Sequence, residues 1–199
     1  MHLSSTLSRI VIGAALVAGA QAALAQQQLV PAQSEVQFTA RQMGVPLEGQ
    51  FKKFSAQVAF DPAKLATSKI AFTVDTGSAT LGSRETDAEL PKPAWFNVPK
   101  FPQAQFVSSS IKALGGGKFE VAGALTIKGN SQNVVVPVTL TQSGPTTTAT
   151  GALPIKRLAF KIGENEWADT SMVADDVQVK FKLAPVSYTH LTLPTTPYV

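Results

Sequence analysis

Apolar side chains recur at every second position along most of this chain, a period that suits extended strands with one face buried. Val36, Phe38 and Ala40 share a face, with Glu35, Gln37 and Thr39 on the other. Ile70, Phe72, Val74 and Thr76 repeat the pattern against Lys69, Ala71, Thr73 and Asp75. So do Phe119, Val121, Gly123, Leu125 and Ile127 against Lys118, Glu120, Thr126 and Lys128. Val177, Val179, Phe181 and Leu183 alternate with Gln178, Lys180 and Lys182. This register predicts Phe119 and Val121 inside, with Lys118 and Glu120 in solvent. The parity changes between Phe51 and Phe54, which predicts a β-bulge at Lys52-Lys53. Gly115-Gly116-Gly117 and Ser143-Gly144-Pro145 read as hairpin turns. Only Ser78 to Pro102 lacks alternation; its Ser83 to Leu90 portion predicts a short helix, stopped by Pro91 and Pro93. Strands, turns and one helical excursion predict a single all-β domain, an antiparallel barrel or sandwich.

The two ends read differently. Arg9, the apolar run Ile10 to Ala20 and the small-x-small Ala23-Leu24-Ala25 make residues 1–25 a cleaved signal peptide, with cleavage after Ala25. The run is too short to cross a hydrocarbon core of ~30 Å as a helix. The expected product is soluble and exported, to the periplasm in a bacterium. Ser187 to Val199 holds both tyrosines and His190 but no charge, and reads as a non-native tail on a domain spanning residues 26–186.

The residue inventory removes much chemistry. There is no cysteine, and the only histidines are His2 and His190. That leaves no thiolate site and no histidine base or metal ligand in the body. A net charge of +4 carried by scattered lysines is not the footprint of a nucleic-acid binder. Asp75-Thr76-Gly77 matches the turn on which a dimeric aspartic protease presents its carboxylate, and equally a strand ending in a glycine turn. Ser109-x-x-Lys112 has a serine–lysine spacing but lies in a strand, where positions three apart face opposite ways. No catalytic residue emerges. All 11 phenylalanines fall in the body, which contains no tyrosine. A solid core acting only through protein partners and an apolar ligand cavity both accommodate that composition.

Blocks in order along the body resemble the YceI family of exported lipid-binding proteins. They are Ser34-Glu35-Val36-Gln37-Phe38, Gly49-Gln50-Phe51 through Val58-Ala59-Phe60-Asp61-Pro62, and Gly82 with Asp87 and Leu90. Then come Trp95-Phe96-Asn97 with Phe101-Pro102-x-Ala104-x-Phe106, Gly123-Ala124-Leu125-Thr126-Ile127-Lys128-Gly129, and Lys156 to Gly163 with Asp175-Asp176-Val177. The chain departs from the family pattern at Asn97 (usually Asp), at Lys161 (often Gly) and at Arg41-Gln42-Met43, which lacks a frequent histidine. The resemblance implies an eight-stranded antiparallel, lipocalin-like β-barrel with a short helical segment near its mouth. It implies a binding protein rather than an enzyme, holding a polyisoprenoid lipid (an isoprenoid quinone or a polyprenyl phosphate) and no catalytic cofactor. Inner-membrane redox or lipid-pathway proteins and a homodimer stay open as partners. On this reading Phe38, Phe72, Val74, Trp95, Phe96, Phe106, Phe119, Val121, Leu125 and Phe160 line the cavity. Arg41, Arg84 and Arg157 are head-group candidates, and Ser78 to Pro102 covers the mouth with Trp95 or Phe96 against the lipid.

Overall fold

The computed structural model describes residues 28–143 and 146–186. The signal-peptide and tail readings therefore lie outside the described residues, as does the Gly144-Pro145 portion of one predicted turn. The strands are β1 (Gln28–Leu29), β2 (Glu35–Gln42), β3 (Val45–Phe51), β4 (Phe54–Ala59), β5 (Lys69–Asp75) and β6 (Ala79–Thr80). After the helix α1 (Arg84–Glu89) come β7 (Gln103–Gly115), β8 (Lys118–Ile127), β9 (Asn130–Ser143), β10 (Thr146–Lys156), β11 (Asp176–Leu183) and β12 (Pro185–Val186). β1 and β12 pair with each other, while the other ten strands form one antiparallel sheet in the order β4-β5-β7-β8-β9-β10-β11-β2-β3-β6.

That sheet curls on itself. β4 and β3 stand near opposite ends of the strand order, yet only Lys52 and Lys53 separate them in the chain. The Lys52 N–H donates to Ser78 O and the Asp75 N–H to Lys53 O, so the junction is bonded to the chain on its far side. The all-β antiparallel expectation holds, but the count is ten strands in place of eight. Two features account for the difference. The strand expected to bulge at Lys52-Lys53 breaks there into β3 and β4, and the two-residue β6 adds an edge against Gln50 and Phe51. Register shifts occur instead in β7, between Ser108 and Ser110 and between Ala113 and Gly115.

The alternation sets the faces as read. Val36, Phe38, Val74 and Val121 are buried, Lys118 is exposed, and Glu120 is half-buried rather than fully in solvent. Pro137 and Pro154 sit inside β9 and β10, where a missing N–H ordinarily excludes proline. The sheet tolerates them because β9 and β10 pair only between Val138 and Ser143 and between Thr146 and Gly151, then diverge. Both prolines lie past that fork, each with a ladder on one side only. The packed core occupies the end toward which these strands spread: Leu90, Phe96, Ala104, Ile127, Ile155, Phe160 and Ile162 cluster there.

Two inward phenylalanines lie across glycines of the neighbouring strand. Phe38 is the cross-strand partner of Gly49, and Phe181 of Gly151. A Cβ at either glycine would overlap the facing ring, and at Gly151 it would also stand 2.6 Å from Pro137 O. The missing side chains let the rings fold down against the wall. Gly151→Ala is expected to cost about 1–3 kcal/mol in urea denaturation, since ring and backbone cannot both give way, and Gly49→Ala less. Wild-type stability in Gly151→Ala would show that the ring does not rest on this glycine.

Candidate functional site

The curled sheet encloses a cavity of ≈ 400 Å³. This is within the ~300–1,000 Å³ usual for ligand sites. It extends from Leu29, Phe60, Phe119 and Leu140 at the hairpin end to Gln42, Leu90, Trp95 and Trp167 at the other. The wall is almost wholly aliphatic and aromatic. Aromatic pairs stiffen it: Phe60 meets Phe119 edge-on at 5.4 Å, Phe38 lies 5.2 Å from Phe51, and Phe51 lies 5.9 Å from Phe96. Such a surface offers contact area and little hydrogen bonding.

Phe38, Phe72, Val74, Trp95, Phe96, Phe106, Phe119, Val121 and Leu125 all border this space. Phe160 does not. The chain leaves β10 at Lys156 and tightens into a 3-10 turn (Arg157–Phe160), which interrupts the strand parity and sends the ring into the end core, 2% exposed. The segment Ser78 to Pro102 supplies Leu81, Thr86, Glu89, Leu90, Trp95 and Phe96 to the wall. Sequence reasoning passed over Gln42, Trp167 and the β9 residues Val136, Val138 and Leu140. Parity would have found Gln42, the next inward position after Ala40. Trp167 carried no signal, because it belongs to an irregular crossover and meets Trp95 only in space, ring centroids 5.5 Å apart.

None of the three arginine candidates offers a free guanidinium to the cavity. Arg41 is on the outward face, exposed, with Nη1 3.4 Å from Gly44 O. Arg84 is exposed at the start of α1. Arg157 reaches the wall but is 2% exposed, and its N–H groups are committed to backbone carbonyls. Nε donates to Ala174 O, Nη1 to Ile162 O and Gly163 O, and Nη2 to Trp167 O and Val173 O. That uses the full donor set of an arginine. Burial pushes its pKa below the ordinary value, and Asp175 works in the opposite direction. Its role is to pin the 162–174 crossover over the end of the barrel.

Lys128 does the same from the adjacent turn. Its Nζ donates to Pro93 O at 2.7 Å, to Lys161 O at 2.6 Å and to Glu164 Oε2 at 2.8 Å. The covering loop and the crossover are thereby tied together. Lys161, the departure from glycine, holds a left-handed φ of 56°, and its carbonyl accepts from Lys128. Asp87 fastens the other side: its carboxylate accepts from Thr80 Oγ1 and Leu81 N, both at 2.6 Å.

Asp75 serves its own turn. Its Oδ1 accepts from Gly77 N at 2.9 Å, while Thr76 is buried and donates to Phe101 O at 2.8 Å. The Asp-Thr-Gly segment thus ends a strand in a capped turn. Among the described residues no group of three His, Cys, Asp or Glu gathers to hold a metal ion. Among the described residues, Trp95 Nε1 is the fully buried side-chain polar atom left without a partner.

These features define an all-β protein built round an apolar internal cavity with a polar-clamped end. The YceI-like domain model matches residues 27–184, and the chain belongs to that family. The crystal structure of BcnA from Burkholderia cenocepacia is 51% identical, with TM-score 0.75 over 78% of this chain and 98% of that one. A UPF0312 protein of Ectopseudomonas mendocina (strain ymp) is 32% identical over 138 residues, 67% of this chain and 71% of the relative. The fold is shared with a polyisoprenoid binding domain from Saccharophagus degradans, 14% identical, TM-score 0.65, over 83% of this chain and 99% of that one.

Two outcomes test the clamped end. Arg157→Met leaves five carbonyls without their donor and is expected to cost at least ~3 kcal/mol in chemical denaturation. A near-neutral result would mean that water replaces the guanidinium freely. The second concerns acid. The Thr80 hydroxyl first, then the Leu81 N–H and the Lys52 charge, hold the Asp87 carboxyl below its ordinary value of 3.8, against a smaller effect of burial. A lowered folded value means that this tether is complete above pH 3.8 and lost as pH falls through the lowered value. Amide protection across α1, measured against the intrinsic exchange rate at each pH, should therefore fall below pH 3.8, ahead of the barrel strands. Asp87→Asn should remove that transition; if the variant keeps it, another group is responsible.

Proposed function

We propose that the protein binds a polyisoprenoid lipid in the barrel cavity, as carrier, store or scavenger, and performs no catalysis. The observation that carries this is the cavity itself: ≈ 400 Å³, extended along the barrel and bordered mainly by phenylalanine, valine and leucine. An isoprenoid tail has no hydrogen-bonding groups, so a wall without them leaves nothing unsatisfied. Each buried CH₂ favours binding by ~0.8 kcal/mol, which makes a long tail sufficient with few polar contacts. Membership of the YceI-like family and a fold shared with a polyisoprenoid binding domain support the same reading. The proposal includes export to the periplasm, on the signal pattern of residues 1–25. N-terminal sequencing of protein recovered from that compartment should then begin at Gln26.

Solvent extraction and mass spectrometry of the purified protein should release an isoprenoid lipid; none above a control protein would overturn the proposal. Both tryptophans border the cavity, so a prenyl quinone should quench their emission strongly and saturably. In Trp167→Phe the remaining indole, Trp95, should still respond. Constant emission with binding shown independently would place the quinone elsewhere. Phe72→Ala should weaken retention without abolishing the fold, though loss of so large a side chain costs up to ~5 kcal/mol.

A further inference from the structure

The apolar wall is interrupted by a few polar side chains, and their bonding separates them. Arg157 has spent its N–H groups on carbonyls. Thr86 donates to Ser83 O, and the Glu89 carboxylate is paired with Lys92. Thr147 belongs to the hairpin end, on β10 beside Gln142. Gln42 is different. It is half-buried at the end of β2, borders the cavity, and its carboxamide has no hydrogen-bond partner among the described residues. Its backbone is fixed by the pairing with Val45 and by a bridge to Val173, so the side chain is held at that place. Trp95 Nε1 also lacks a partner, but it is buried within the wall rather than open to the lumen.

We infer that Gln42 is the head-group contact of the cavity and that the bound lipid ends in a neutral oxygen-bearing group, not a phosphate. The inference rests on the lipid-binding proposal and narrows its ligand. A carboxamide donates to a carbonyl oxygen and accepts from a hydroxyl, so it serves a quinone ring or an alcohol alike. A phosphate brings close to two negative charges that need paired cations once out of water. The one cation of the wall has no donor left. The other ion of the wall is the Glu89 carboxylate, on the segment whose Trp95 ring lies 5.5 Å from that of Trp167. Arg41 and Arg84 are exposed outside the wall.

The test compares four probes with matched tails: a prenyl quinone, a prenol, a prenyl phosphate and a head-less isoprenoid hydrocarbon, each measured by native mass spectrometry on the delipidated full-length protein. Wild type should hold the quinone and the prenol about tenfold more tightly than the phosphate. Gln42→Leu, which removes no side-chain hydrogen bond of the fold, should bring quinone and prenol down to the level of the hydrocarbon, about five- to tenfold. Gln42→Glu cannot donate to a carbonyl and should lose the quinone while keeping the prenol. Phosphate binding as tight as prenol binding overturns the inference, as does a Gln42→Leu protein that still prefers the quinone over the hydrocarbon. If no probe binds, the hydrocarbon included, the lipid-binding proposal falls with it; if the hydrocarbon binds and the head groups make no difference, only the head-group assignment falls.

Discussion

A single buried guanidinium sets the terms for one end of this barrel. Arg157 is 2% exposed and donates to carbonyls between Ile162 and Ala174, a stretch with little regular structure of its own. Turns within the stretch bond some of its backbone, but the five carbonyls that Arg157 serves would otherwise need water, and water there would reach the apolar lumen. The side chain supplies those bonds from the dry side. Lys128 repeats the solution one turn away and adds the Pro93 carbonyl of the covering loop. Arg157, a head-group candidate in the sequence, is thus structural, as is Lys128, and the lumen they protect stays apolar.

The wall has the opposite problem, since eleven phenylalanines in a small domain tend to fill whatever space they face. Gly49 and Gly151 keep the bore open by giving the Phe38 and Phe181 rings somewhere to lie. The fork between β9 and β10 performs a related task at larger scale. It widens the sheet beyond Val138 and Gly151 and makes room for the end core at Ile155, Phe160 and Ile162. Empty space and dense packing therefore coexist along one sheet, separated by where two strands cease to pair.

Strands with clean alternation were legible residue by residue: β2, β5, β8 and β11 show the faces their sequences predict. β9 was harder to see because Pro137 interrupts an otherwise regular valine series, and its tolerance depends on the fork, a tertiary feature. The break at Lys52-Lys53 was visible as a parity change, but a change of parity does not distinguish a bulge from a strand that ends and restarts. What restarts it is bonding to Ser78 and Asp75, more than twenty residues away. Phe160 and Arg157 misled for one reason: both follow a regular strand in sequence but belong to the tight turn after it. The cavity wall was readable where it is strand and illegible where it is crossover, as Trp167 illustrates.

The near absence of polar groups along the bore has a kinetic meaning. A chain lying against evenly apolar walls has no preferred register, because sliding by one unit exchanges one set of dispersion contacts for an equivalent one. Its motion would resemble a thread in a smooth tube, with friction and no detent until a head group meets Gln42. Loading and unloading can then proceed by reptation, a few carbons at a time, and the whole buried area is never exposed at once. A tube of this kind selects by thickness rather than length, so tails differing by whole repeat units would share a common pathway and differ mainly in how much of each remains outside.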